Sequence, residues 1–179
     1  MNKEEFENHL DSTLRLLEKA KELRYSDDST LVETEQKRLT DFFMDEVTKL
    51  YLATKTSSSY KDAKYREFVR NSAYILNKLS SEIVDYIIKT ENEVTGSFYY
   101  AEQWENRVCW RRSAIEALKE IYKNTSFEKF YYELDTEDLD DSIEMRAHKE
   151  GGLKEDQIPK GIPTSHWWWW SPEEPPSSR

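Results

Sequence analysis

The chain has 179 residues, 37% of them hydrophobic and 35% charged, with a formal net charge of −10. That balance excludes wholesale disorder, and the acidity argues against non-specific binding to nucleic acid, whose phosphates need a basic stripe. The single cysteine, Cys109, excludes internal disulfides and the Cys-based zinc sites.

Glycine and proline are sparse until late in the chain. Before Gly151 there is one glycine, Gly96, and no proline. Sheets need frequent tight turns, so this spacing predicts an all-α protein. No apolar run reaches the ~18 residues of a membrane span. The polar start Met1-Asn2-Lys3-Glu4-Glu5 is unlike a secretory signal, and a cytoplasmic location is expected.

Helical periodicity then divides the chain. Asn2 is placed to cap a first helix with Glu4 and Glu5 in its first turn, and Phe6, Leu10, Thr13, Leu14, Leu17 and Ala20 share one face. After a polar break at Tyr25–Asp28, Thr30-Leu31-Val32-Glu33 reads as a capping box. The second stripe is Val32, Gln36, Leu39, Phe43, Val47, Leu50 and Ala53, widened by Phe42, Tyr51 and Leu52.

A third helix is predicted from about Lys61 toward Thr95, along Tyr65, Phe68, Val69, Ser72, Ile75, Leu76, Leu79, Ile83, Tyr86 and Ile87. At 1.5 Å per residue it would run roughly 50 Å, so its end past Ile88 should overhang its neighbours or fray. Gly96 stops it, and a fourth helix is expected from Ser97 to near Asn124. Short polar links between amphipathic helices imply antiparallel neighbours. The expected fold is an antiparallel up-down four-helix bundle over residues 1–124, followed by an acidic, largely irregular C-terminal extension. That extension divides into an aromatic and acidic part with short helices, 125–152, and a tail rich in Pro and Trp, 153–179.

The extension opens with an aromatic cluster, Phe127, Phe130, Tyr131 and Tyr132. Seven acids and no basic residue fall in 133–144. A helix through Leu139, Ile143 and Met145–His148 would end at Gly151-Gly152.

The least ordinary segment is His166-Trp167-Trp168-Trp169-Trp170. In an extended chain Trp167 and Trp169 would point one way and Trp168 and Trp170 the other, one pair packing on the bundle and one meeting a partner. Tryptophan is enriched at binding hot spots because it buries much apolar area at small entropy cost. The alternative is a strip that folds back as a clasp on its own bundle. Membrane anchoring is disfavoured by Glu173 and Glu174 beside it.

Asp138, Asp140 and Asp141 lie in the acidic run, which would suit a basic partner or form a solvated face. It lacks the central glycine of a calcium loop. Arg107 and Arg111, with Arg112, sit beside Trp104 and Trp110 and would form an interface patch or pair with nearby acids, the acidic run among them.

Enzyme signatures are weak. The histidines His9, His148 and His166 are scattered, no Glu-x-x-His pair exists for a di-iron site, and Cys109 in a helix reads as a core residue. Glu82-Ile83-Val84-Asp85, set against Asp41, Asp45 and Glu46, resembles the carboxylate arrangement of the all-α nucleoside triphosphate pyrophosphohydrolases. That resemblance covers the four residues of the Glu82–Asp85 segment and lacks the family's paired-glutamate motif. It implies a magnesium-dependent hydrolase.

These features point first to a non-catalytic interaction or adaptor protein without cofactor or metal. It would bind another, basic protein, as a neutralising partner of the immunity or antitoxin kind does, using His166, Trp167, Trp168, Trp169, Trp170, Asp138, Asp140, Asp141, Arg107 and Arg111. The hydrolase and a self-assembling structural bundle are the alternatives.

Overall fold

The computed structural model describes residues 2–23, 29–96, 101–127 and 135–176, except for the side chains of 29–32 and 101–106. Among the described residues the protein is all-helical, without a strand. The helices are α1 (Lys3–Leu23), α2 (Ser29–Thr56), α3 (Ala63–Leu76), α4 (Ser80–Thr95), α5 (Ala101–Ile121) and α6 (Glu137–Glu150). Short 3₁₀ turns occupy Ser58–Tyr60, Glu155–Gln157 and Trp167–Trp169. Among the described residues no helix is long and apolar enough to cross a membrane.

The expected Asn2 cap and the apolar stripes of α1 and α2 form locally, while the Thr30, Leu31 and Val32 side chains of the expected capping box lie outside the described residues. The Asn2 side chain accepts from the Glu5 N–H at 2.9 Å, and the Glu5 carboxylate accepts from the Asn2 N–H at 2.8 Å, a reciprocal cap. Phe6, Leu10, Thr13, Leu17 and Ala20 are buried, so the α1 stripe faces the core. On α2, Leu39, Phe43, Val47, Leu50 and Ala53 are buried. Phe42 is 46% exposed, so the α2 face is narrower than its sequence suggests. Each fully buried large apolar side chain contributes about 1.5–3 kcal/mol.

The predicted third helix is two helices. Lys78 and Leu79 donate to the carbonyls of Ile75 and Leu76, at 2.8 and 2.9 Å, tightening the end of α3 before α4 starts at Ser80. Asn77, Ser80 and Ser81 are poor helix-interior residues, because their side chains compete for nearby polar groups. The Asn77 amide is turned to a distant part of the chain, donating to Ser126 Oγ at 3.0 Å. The break lets α3 pack on α1 while α4 packs on α2, α5 and α6. The α4 end therefore neither overhangs nor frays: Thr90 and Val94 are buried. Arg146 of α6 donates to the carbonyls of Val94 and Gly96, at 2.6 and 3.1 Å, satisfying α4's terminal acceptors.

Helix α5 ends at Ile121, a turn before the expected Asn124, and Asn124 takes a left-handed φ of 67° that redirects the chain. Phe127 is buried edge-on against Tyr122. Phe130, Tyr131 and Tyr132, the Tyr25–Asp28 break and the expected fourth-helix start at Ser97 lie outside the described residues. The second helix begins at Ser29, one residue before the expected Thr30.

Candidate functional site

The tryptophan strip is a 3₁₀ turn rather than an extended segment, so the expected alternation of faces does not hold. Neighbours Trp168 and Trp169 are both buried, while Trp167 and Trp170 are half-buried. The turn sits on α5 and α6. His166 is fully buried just ahead of it, stacked on Trp168 with ring centroids 4.6 Å apart and lying parallel to Tyr51 of α2.

One hydroxyl organises this contact. Ser113 Oγ, on α5 and buried, accepts from the indole N–H of Trp169 at 2.8 Å and of Trp168 at 3.1 Å. Those two donors use both of its lone pairs. Its own proton is left for His166 Nδ1, 3.0 Å away, which makes the imidazole an acceptor there and leaves Nε2–H toward Tyr51 Oη at 3.5 Å. Cys109 joins the same contact: its carbonyl accepts from Trp168 Nε1 at 3.1 Å, and its thiol donates to the Trp168 carbonyl at 3.2 Å. Burial first, then the Arg112 and Lys55 charges, push the His166 pKa down to about 4, so the ring is neutral near pH 7.

Arg112 binds the acidic helix to this clasp. Its guanidinium, 5% exposed, meets Asp140 through two bonds of 2.6 and 3.1 Å, reaches Glu116 at 3.1 Å, and lies 4.2 Å over the Trp168 ring. α5, α6 and the tail therefore share one charged link, with Asp140 turned inward. Asp138 and Asp141 stay exposed on α6, together with Glu137 and Glu144, and Met145 is 69% exposed among them. Glu144 and His148 pair on this surface at 3.7 Å. At the C-terminal end of α6, Gly152 lies so close to the tail that an added Cβ would fall 2.1 Å from the Ser171 carbonyl oxygen.

The structure separates Arg107 and Arg111 from the strip. Arg111 is buried over the Tyr86 ring at 3.9 Å, donates to Thr90 Oγ1 at 2.8 Å, and reaches Asp41 at 3.4 Å. Arg107 is exposed and pairs with Glu93. Their partners Glu93 and Asp41 help to line a groove of about 500 Å³ between α2 and α4, together with Glu82, Asp85, Tyr86, Ile88 and Lys89 among others. Of the five carboxylates in the hydrolase resemblance, Asp41, Glu82 and Asp85 line this groove. Asp45 instead accepts from Trp110 Nε1 at 3.0 Å, and Glu46 pairs with His9 and Lys49. Among the described residues no three His, Cys, Asp or Glu side chains are placed to hold a metal ion.

No family model, no curated protein and no solved structure matches the chain. The residues that sequence reasoning passed over are Ser113, Gly152 and Ile88. The serine is one small polar residue inside an apolar helix face, which signals a buried hydrogen-bond acceptor only once its partners are known. In the sequence Gly152 reads as a helix stop, and Ile88 as the residue before an end of the third helix expected to overhang or fray.

Proposed function

We propose that the protein is a non-catalytic binding protein for a basic protein partner, with the outward face of α6 as its recognition surface and the tryptophan strip as the clasp that holds α6 in place. The observation that carries this reading is the exposed α6 stripe of Asp138, Asp141 and Glu144 around Met145. A solvent-facing methionine amid carboxylates offers an adaptable apolar contact within a field that steers a cationic partner. The scaffold in this reading is an up-down bundle in which α3 and α4 together take the third place. Its bundle (1–124), extension (125–152) and tail (153–179) act as one unit, in the cytoplasm. A neutralising role, covering a basic site on the partner, fits the same charge.

The test is retention of proteins from the native cell extract at physiological salt, comparing the wild-type chain with Asp138→Lys/Asp141→Lys. A basic protein held by the wild type and lost by the variant supports the reading. Equal retention by both, or none by either, overturns it.

The magnesium-dependent hydrolase is a second reading: Asp41, Glu82 and Asp85 share one groove, although they are not placed together as a three-ligand set and Asp41 is paired with Lys89 and Arg111. A metal whose dissociation constant is 1% of its free concentration in the assay would stabilise the fold by about 2.7 kcal/mol through mass action and raise the melting midpoint accordingly. An unchanged midpoint with magnesium and with manganese removes that reading.

A further inference from the structure

The groove between α2 and α4 has an uneven charge once its internal pairs are set aside. Lys37 donates to Glu33 at 2.7 Å and Lys89 to Asp41 at 2.7 Å, so both groove lysines are committed. Asp41 also faces Arg111, and Glu93 is paired with Arg107. Among the described residues Glu82 accepts a hydrogen bond from the neighbouring Ser81 hydroxyl, at 2.9 Å, and Asp85 makes no direct ion pair, the Lys37 ammonium acting on it through space while bonded to Glu33. Two negative charges are thus left facing the groove on one side of α4, three residues apart. Ile88 follows after another three residues and is 49% exposed in the same groove. The three side chains span about 9 Å along the helix.

We propose that this groove is a second docking site, which takes a basic amphipathic segment of a partner protein. Cationic side chains of that segment lie over Glu82 and Asp85, and an apolar one closes on Ile88. The argument is charge complementarity. A partner cation at Glu82 or Asp85 gains attraction without breaking an existing pair, whereas an acidic segment would meet unscreened like charge. A groove of about 500 Å³ admits a few side chains rather than a whole domain. A helical segment with Lys or Arg at i and i+4 and Leu at i+7 keeps the three side chains on one face and spans about 10 Å, close to the roughly 9 Å from Glu82 to Ile88. The proposal rests on the reading of the protein as a binder of basic partners, and adds a surface distinct from the α6 stripe.

The experiment is fluorescence anisotropy of the full chain with a labelled peptide of about 15 residues carrying Arg at i and i+4 and Leu at i+7. A matched peptide with Glu for Arg is the control. Saturable binding of the Arg peptide is expected, weakened about tenfold by Glu82→Lys/Asp85→Lys and severalfold by Ile88→Ser. Glu18→Lys/Glu22→Lys, at two exposed acids of α1 outside both the groove and the α6 stripe, makes the same change of total charge and should alter binding less than about twofold. Far-ultraviolet circular dichroism checks that every variant folds. Equal weakening by the two double variants would reduce the effect to net charge and overturn the docking site. Equal binding of the Glu peptide would also overturn it. So would concentration-dependent dimerisation lost in Ile88→Ser, which would make a second copy the occupant. Absence of saturable binding sinks the groove alone, because the extract experiment reads the α6 face independently.

Discussion

Replacing Ser113 by alanine isolates the hydrogen-bond node of the clasp. The change removes one oxygen and leaves the backbone and the apolar packing around it intact. Trp169 Nε1 then loses the one acceptor it has among the described residues, and His166 Nδ1 loses its donor. Trp168 keeps the Cys109 carbonyl at 3.1 Å. Two buried polar groups left unsatisfied cost about 1–3 kcal/mol each, so the expected loss is about 2–6 kcal/mol. Against a typical total of about 5–15 kcal/mol, that is a large fraction of the stability. Urea unfolding followed by both tryptophan fluorescence and far-ultraviolet circular dichroism measures it. If the tail is an integral part of the core, both probes shift to the same lower midpoint. A variant within about 0.5 kcal/mol of the wild type would refute the assignment of Ser113 as the shared acceptor.

Asp140→Ala should destabilise the protein by about 1.5–3 kcal/mol, because the buried Arg112 guanidinium loses its two-bond partner and keeps only Glu116 among the described carboxylates, whereas Asp141→Ala on the exposed face should change little; thermal or urea unfolding compares them. Gly152→Ala puts a methyl group against the rigid Ser171 carbonyl and should cost about 1–3 kcal/mol, seen as a lower melting midpoint and greater quenching of the tail tryptophans by acrylamide. The His166 pKa is lowered from 6.5 to about 4 in the folded protein, so the unfolded chain binds the extra proton first. Its contribution is fully present above about pH 6.5 and is lost as the pH falls toward about 4, to a limit of roughly 3 kcal/mol. Unfolding curves between those pH values should fall more steeply for the wild type than for His166→Gln, and parallel curves would contradict a buried neutral imidazole.

Much of the helical layout is readable because it depends on neighbours a few residues apart. The Asn2 cap, the α1 stripe and the helix ending at Gly151 follow from spacing and local hydrogen bonding. The split between α3 and α4 was less readable: the apolar stripe continues through Leu79 into Ile83, and only the weak helix preference of Asn77, Ser80 and Ser81 marks the turn. The direction of the tryptophans was misread, since a run of identical residues carries no period and an extended chain was assumed where a 3₁₀ turn forms.

Sequence alone determined that this is a helical, acid-rich chain with an unusual aromatic segment, because composition and a 3.6-residue period are local properties. Tertiary structure decided what that segment does within the protein. Ser113 and His166 are 53 residues apart, and Arg112 and Asp140 are 28 apart. No periodicity links such positions. Their meeting follows from the packing of α5, α6 and the tail, where buried donors and charges must find partners that only the folded chain brings within reach.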